Sequence, residues 1–206
     1  MTDVPEKTVE KMVHPITETD RLIRERGFDL VGEYTTAVEF AAFDRNECVL
    51  DVATGSGRMA CVLADRGYEV WSGDISEEAL EKARLRLGDL VSRVKLLTFD
   101  AAAIPFESGS FSAITCANAI HEMEDPHSVL QEMVRLVSDN GKLVLIEFND
   151  EGFNLLAEIH SKLGRAEHRR GIMTESQIDT QLRALFVDVS TSDLGINRLW
   201  VASGKR

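Results

Sequence analysis

The sequence predicts one α/β domain, in which a mostly parallel β-sheet has helices on both faces. Two observations support this. From Cys48 onward, short apolar runs alternate with helix-like segments, which is typical of strand–helix–strand units. Near the end of the chain, two strand-like runs, 187–192 and 198–202, are joined by a few residues around Gly195. So short a joint predicts a hairpin, and therefore one antiparallel strand at or near an edge of the sheet.

Short apolar runs identify the strands. The predicted strands are 48–52, 69–72, 94–99, 111–117, 142–148, 187–192 and 198–202. A helix over 58–66 follows the first strand, and Gly67 suits its left-handed end. Ser76 is a typical N-cap for the next helix, whose first turn carries acidic residues at the positive end of the helix dipole.

Cap residues also mark the later helices. Asp125 is followed by proline, a pair that favours a helix start. The apolar stripe of that helix extends to Val137, and we expect Gly141 and the asparagine before it to end the helix. Thr174 and Gln177 have the spacing of a capping box, which predicts a helix reaching about residue 185.

The N-terminal segment, residues 1–45, has helical patterns and no strand signal. We predict two short helices there, the second over 33–43. The chain then divides into an N-terminal helical lid, 1–45, and a main unit, 46–206, within a single domain. Tyr34 and His14 are the lid residues expected to face the crevice of the main unit.

Composition excludes several classes of function. A net charge of −12 argues against a nucleic-acid partner, because such binding relies on cationic side chains. No apolar run is long enough for a membrane helix, and the N-terminus lacks a secretion signal, so we expect a cytoplasmic protein with no membrane partner. The three cysteines and five histidines show no metal-ligand spacing, which predicts no metal site.

The motif that carries chemistry is Val-Leu-Asp-Val-Ala-Thr-Gly-Ser-Gly at 49–57, a strand followed by a glycine turn and a helix. Glycines allow a ligand to approach the backbone closely, and the helix N-terminus offers unpaired N–H groups. With Ala60 the motif also fits the dinucleotide fingerprint. The turn therefore predicts a bound nucleotide-like ligand without identifying it.

Three carboxylates lie at the ends of three successive predicted strands: Asp51, Asp74 and Asp100. The carboxyl ends of parallel strands form one crevice, where ligands bind in open α/β sheets. Asp74, 23 residues after Asp51, is placed to accept hydrogen bonds from both ribose hydroxyls. A third acid suits an adenine amino group better than a nicotinamide.

These residues resemble the class I S-adenosylmethionine-dependent methyltransferases, in particular the branch with the ubiquinone and menaquinone biosynthesis enzymes and many small-molecule methyltransferases. The segments VLDVATGSG, GDIS, FDAAAIPFESGSFSAITCANAIHEMEDP and GKLVLIEF carry the resemblance, over about residues 46–150. It implies a Rossmann-like seven-stranded sheet with a reversed last strand. It also implies S-adenosylmethionine as cofactor, S-adenosylhomocysteine as product and a small-molecule methyl acceptor. Ala53 departs from the glycine that is frequent in the family.

The resemblance assigns ten residues to cofactor binding: Asp51, Ala53, Gly55, Gly57, Asp74, Ile75, Asp100, Ala101, Ala117 and Asn118. The glycine turn would wrap the methionine part, and Asp51 would orient that turn. The residues after the second strand would hold the ribose and one face of the adenine. The residues after the third strand would read the adenine edge, and those after the fourth would face the amino acid part.

Methyl transfer mainly requires alignment of the two reactants and exclusion of water. A base is needed only if the attacking atom carries a proton, and His121 is the candidate catalytic residue for that step. A structural histidine that braces the loop is the alternative.

Three other functions are compatible with part of this pattern. A nicotinamide-dependent oxidoreductase shares the glycine turn and Asp74, but the chain lacks a Tyr-x-x-x-Lys pair. Nucleic-acid methyltransferases that act on exocyclic amines of bases usually carry an Asn/Asp-Pro-Pro-aromatic motif after the fourth strand, but 117–121 has no proline and the chain is acidic. A non-catalytic cofactor-binding or regulatory module stays open, because binding residues are present with or without turnover.

The acceptor is expected to contact the first 45 residues and the segment 149–173, which is apolar around Phe153 and basic in its later half. An acidic group on an apolar or aromatic acceptor could lie near Arg165, Arg169 or Arg170. The sequence leaves the oligomeric state open, including a homodimer formed through the N-terminal helices.

Overall fold

The computed structural model describes residues 17–166 and 170–206. Seven strands form one sheet: β1 (Cys48–Val52), β2 (Glu69–Asp74), β3 (Val94–Thr98), β4 (Phe111–Ala117), β5 (Val137–Phe148), β6 (Phe186–Leu194) and β7 (Asn197–Lys205). The α-helices are α1 (Glu18–Glu25), α2 (Leu30–Ala41), α3 (Arg58–Asp65), α4 (Glu77–Leu87), α5 (Pro126–Leu136), α6 (Asp150–Lys162) and α7 (Glu175–Leu185). Two 3₁₀ segments, Gly88–Arg93 and Ile120–Glu122, complete the described elements.

The strand order is β3-β2-β1-β4-β5-β7-β6. β7 runs antiparallel to both its neighbours, β5 and β6, while the pairs among β1 to β5 are parallel. This confirms the predicted Rossmann-like sheet with one reversed strand and the C-terminal hairpin. The order reverses at β1, whose two neighbours are β2 and β4. The carboxyl ends of these strands therefore border the crevice where ligands bind in such folds.

Both faces of the sheet are covered, which explains the continuous apolar runs of the strands. Successive side chains of a strand point to opposite faces, so Val49 and Leu50 enter different core clusters although both are fully buried. The cluster around Leu50 includes residues of α5 and α7. The cluster around Val49 includes residues of α2, α3 and α4. α2 is thus part of the main core, with Tyr34 2% exposed.

The end of the helix that begins after Asp125 differs from the prediction. α5 ends at Leu136, and Val137 begins β5 instead of completing the helical stripe. Val137 is fully buried and pairs with Phe111, so sheet pairing of a β-branched residue overrides the helical pattern. The register then shifts between Phe111 and Ala113, and a Cβ on Gly141 would lie 2.9 Å from the Ser112 carbonyl oxygen. Gly141 therefore serves an irregular strand pairing and does not end the helix.

The described N-terminal part begins at Thr17, which forms a capping box with Asp20 at the start of α1. α1 contacts α6, and α2 packs against α3. His14, one of the two predicted lid residues, lies outside the described residues. Within residues 17–166 and 170–206, none of the helices combines the length and apolarity that crossing a membrane requires.

Candidate active site

A cavity of about 700 Å³ opens at the carboxyl ends of β1, β2 and β4. Nine of the ten residues assigned to the cofactor line it: Asp51, Ala53, Gly55, Asp74, Ile75, Asp100, Ala101, Ala117 and Asn118. Sheet topology brings them together, because each follows or ends a strand of the parallel part of the sheet. Ile75 is 71% exposed and supplies an apolar surface at the cavity.

The glycine turn takes left-handed backbone at three positions, with φ of 57° at Ala53, 52° at Gly55 and 79° at Gly57. A Cβ on Gly55 would meet no protein atom within 4 Å, whereas one on Gly57 would lie 2.8 Å from the Cα of Ala83 in α4. Gly57 therefore permits close packing of α4 against the turn and does not itself line the cavity. The left-handed φ of Ala53 gives a physical reason why glycine suits that position.

The three carboxylates have different surroundings. Asp51 is 1% exposed, and it accepts hydrogen bonds from the hydroxyls of Ser72 at 2.8 Å and Thr115 at 3.1 Å. Burial raises the pKa of Asp51 to about 6, although both hydroxyls oppose the shift. Asp100 is exposed and accepts from the backbone N–H of Ala102 at 2.8 Å.

Asp74 makes the contact that fixes the glycine turn. One carboxylate oxygen accepts from the Gly55 N–H at 2.9 Å, and the other accepts from the Ser76 N–H at 3.0 Å. The end of β2 is thereby tied to the turn after β1. The carboxylate still has capacity for further donors, since each oxygen carries two lone pairs.

Asn118 leaves β4 with a left-handed φ of 51°. Its side-chain N–H₂ donates to the Tyr34 hydroxyl at 3.0 Å. The other polar atom of this side chain, Oδ1, is buried and has no hydrogen-bond partner among the described residues. The Asn118 side chain lines the cavity. A buried acceptor without a donor is uncommon in native proteins and indicates a place for a ligand donor.

An ion-pair cluster links α1 to the glycine turn. Asp20 accepts from Arg58 Nε at 2.7 Å and from Arg86 Nη2 at 2.6 Å, and Arg86 Nε donates to the Ser56 carbonyl at 2.8 Å. Burial alone would raise the pKa of Asp20, but the two guanidinium groups outweigh it and hold that pKa at about 2. The cluster joins the N-terminal segment to the cavity and was not predicted from the sequence.

A second cavity, of about 960 Å³, adjoins the first, and the two share Glu122, Met123 and Glu124. α6 forms one side of it, with Phe153 in its wall. The segment 149–173 was predicted to contact the acceptor, but α6 itself was not predicted. Two sequence features indicate this helix: Asn149, a typical N-cap residue, and the apolar spacing that follows it. In the structure the Asn149 side chain accepts a hydrogen bond from the Gly152 N–H.

Two of the three arginines considered for an acidic group on the acceptor line this second cavity, Arg165 and Arg170. Arg165 donates to the Thr19 hydroxyl at 2.8 Å. Arg170 pairs with Asp150 and donates to the Asn154 side-chain oxygen at 2.8 Å. Arg169 lies outside the described residues.

His121 lines the second cavity and not the first. Its side chain is 2% exposed, and its Nδ1 lies 2.7 Å from Glu147 Oε1. Burial alone would lower the pKa of His121, but the hydrogen bond and negative charge of Glu147 outweigh it, so the pKa is raised. Sequence analysis missed Glu147 because it stands inside the apolar run of β5, where a buried acid has no distinguishing pattern.

Among the residues that the structure describes, no three histidine, cysteine or acidic side chains are grouped so that they could hold a metal ion. Cys48, Cys61 and Cys116 are free thiols. Burial raises the pKa of Cys61 to about 11, which makes it a weak nucleophile.

The methyltransferase domain family matches residues 50–145. A demethylmenaquinone methyltransferase of Thermus thermophilus is 35% identical over 114 residues, which cover 54% of this chain and 52% of that protein. A ubiquinone/menaquinone biosynthesis C-methyltransferase of Bordetella parapertussis is 36% identical over 104 residues, 49% of this chain and 40% of that protein. The chain thus spans about half the length of the curated relatives it matches.

Solved structures share the fold. A putative methyltransferase from Bacillus halodurans has a TM-score of 0.61 at 26% identity, covering 79% of this chain and 71% of the other. An S-adenosylmethionine-dependent methyltransferase from Aquifex aeolicus has a TM-score of 0.65 at 18% identity, covering 98% of this chain and 100% of the other. The chain thus contains a region, residues 50–145, that matches the methyltransferase domain family, and over about half its length it is similar to methyltransferases named for menaquinone and ubiquinone biosynthesis.

Proposed function

We propose that this protein transfers a methyl group from S-adenosylmethionine to a small-molecule acceptor. The observation that supports this most is the pair of adjoining cavities. The first carries the residues assigned to the cofactor, and the second has an imidazole, an aromatic ring and arginines in its wall. Both cavities are bordered by Glu122, Met123 and Glu124, so a cofactor in the first cavity and an acceptor in the second can meet at these residues.

The first cavity suits S-adenosylmethionine. The open space beside Gly55 accommodates the methionine part, the Asn118 oxygen is an acceptor for its ammonium group, and Asp74 is an acceptor for ribose hydroxyls. Ile75 and Ala101 would contact the adenine, with Asp100 at its edge. When bound, the cofactor supplies an activated methyl group: the acceptor's electron pair forms the new bond to that carbon, and the electron pair of the broken carbon–sulfur bond stays on sulfur, giving S-adenosylhomocysteine.

The names of the relatives point to quinone-ring acceptors, and we carry that class over as part of the proposal. A reduced quinone is flat and apolar, which suits the wall formed by Met123, Phe153 and Ile172. Arg165 and Arg170 keep their proposed role toward an acidic group on such a ring. The cytoplasmic location and the absence of nucleic-acid and membrane partners stay predictions from the sequence. The sequence also leaves a homodimer open.

The test is methyl transfer from S-adenosylmethionine labelled with ¹³C in its methyl group. The acceptors are 1,4-dihydroxynaphthalene under anaerobic conditions, 4-hydroxybenzoate, aniline and benzyl mercaptan. Mass spectrometry follows both S-adenosylhomocysteine and the labelled product. We expect labelled product from 1,4-dihydroxynaphthalene at a rate above the other three. Tight cofactor binding without product from any acceptor would instead favour the non-catalytic binding module.

A further inference from the structure

We propose that Glu147 is a positioning residue that holds His121 in the form able to take a proton from the acceptor. The acceptor would then attack through an atom that carries an ionisable proton, or through a ring carbon activated by loss of a phenolic proton. This inference rests on the proposed function, because it assigns a role within methyl transfer. It adds to that function a residue and a chemical class of acceptor.

The hydrogen bonds of Glu147 define the state of the imidazole. Its Oε1 lies 2.7 Å from Nδ1 of His121 and accepts the Phe148 N–H at 2.9 Å. Its Oε2 accepts the His121 backbone N–H at 3.1 Å. Both oxygens thus accept backbone N–H groups, and Glu147 acts as the acceptor in its contact with Nδ1 as well. Nδ1 must therefore carry the proton, and in neutral His121 the lone pair belongs to Nε2.

The surrounding rings and backbone hold this arrangement in place. Phe148 and Phe153 meet the imidazole edge to face, with ring centres 5.8 Å and 5.3 Å from it. A Cβ on Gly171 would lie 2.6 Å from the His121 Cα, so the backbone of Gly171 packs directly against the backbone of His121. A pair this enclosed keeps its geometry without reorganisation when a reaction takes place.

The charged groups around the imidazole come from several elements. Glu147 belongs to β5, and Glu122, from the same 3₁₀ segment as His121, places Oε1 3.7 Å from Nε2. Arg170 lies over the ring of Phe153, with its guanidinium carbon 5.3 Å from the ring centre. Both carboxylates favour the protonated form of the imidazole and raise its pKa. His121 is consequently a stronger base than an isolated histidine.

His121 lines the second cavity, and the Glu122 carboxylate near its Nε2 borders both cavities, so we place the acceptor's proton on the Nε2 side of the imidazole. A phenolic O–H, N–H or S–H reaching that place can give its proton to Nε2 and keep the electron pair with which it attacks. The positive charge that develops on the imidazole is balanced by Glu147. The proton then passes to water through the second cavity.

The first test needs no acceptor. Nitrogen-15 NMR of uniformly labelled wild-type protein reports, for His121, which nitrogen is protonated and the pKa of the ring. Spectra of His121→Gln identify the signals. We expect the Nδ1–H form above the pKa and a pKa above the ordinary value of about 6.5. An Nε2–H form in the wild-type protein would overturn the proposal even if methyl transfer occurs.

The second test separates positioning from a structural role. In the transfer assay with 1,4-dihydroxynaphthalene, Glu147→Gln should lower kcat by about 10- to 100-fold with little change in KM. The rising limb of the pH profile should move to lower pH, because loss of the negative charge lowers the pKa of His121. His121→Gln combined with Glu147→Gln should cost no more than His121→Gln alone. Glu158→Gln, an exposed glutamate of α6, is the matched control.

Two outcomes of that assay would overturn the inference. One is a loss of kcat with an unmoved pH profile, which indicates that Glu147 only supports the fold. The other is a rise in KM at unchanged kcat. Failure of the proposed function itself has a different signature, because wild-type protein would then give no product while the NMR result could still be as expected.

Discussion

Replacing Gly57 by alanine is expected to lower the free energy of unfolding by about 2–4 kcal/mol, adding the cost of left-handed backbone to that of overpacking. The added Cβ would lie 2.8 Å from both the Cα and the Cβ of Ala83, and these atoms belong to the rigid helix α4. The φ of 79° is unfavourable for alanine as well. Urea unfolding of wild type and variant, followed by circular dichroism, measures the difference.

Gly55→Ala is the matched control, and the contrast between the two variants is the informative result. Its φ is also left-handed, but the added Cβ meets no protein atom within 4 Å. We expect a stability loss of only about 1 kcal/mol, the cost of the backbone alone. Cofactor affinity should fall at least tenfold, since the methyl group takes space at the cavity. Equal stability of the two variants would contradict the packing role given to Gly57.

Asp74→Ala is expected to weaken S-adenosylmethionine binding by about 100-fold, the loss that follows from removing hydrogen bonds to a charged group. The carboxylate is the proposed acceptor for the ribose hydroxyls and anchors the Gly55 N–H at 2.9 Å. The substitution removes the ribose contact and the contact that holds the glycine turn, so both losses lower the affinity. Isothermal calorimetry gives the affinity, and the melting temperature of each protein shows that it is folded.

Asp179→Ala serves as the control for charge. Asp179 pairs with Arg183 on α7, and neither residue lines the cavity. Its removal changes the net charge as Asp74→Ala does and should leave cofactor affinity within a factor of two, as expected for an exposed pair on a distant helix. If Asp74→Ala bound the cofactor as tightly as Asp179→Ala, the ribose assignment would be wrong.

The sheet was predictable because its signals are local. Val49 and Leu50 belong to a continuous apolar run, which is typical of a strand buried on both faces. The short joint at Gly195 makes a hairpin the simplest connection between the last two strands. Once the strands are parallel, their carboxyl ends must lie at one edge. The cavity lined by Asp51, Asp74 and Asp100 then follows from topology, with no need to know side-chain contacts.

The features that escaped prediction depend on contacts between distant parts of the chain. Asp20 looks like an ordinary acid in the first turn of a helix, and only the fold brings it to Arg58 and Arg86. Glu147 is one acid within an apolar strand, and its proposed role depends on its contact with His121, which only the fold brings about. The early end of α5 has the same origin, because pairing of Val137 with Phe111 outweighs a local helical pattern.

We propose that the cavity beside the glycine turn binds S-adenosylmethionine. The most direct measurement is calorimetric titration of the wild-type protein with S-adenosylmethionine, S-adenosylhomocysteine and NAD in parallel. We expect saturable binding of both sulfur nucleosides with one site per chain, and no measurable heat with NAD. Binding of NAD alone, or of none of the three, would contradict it.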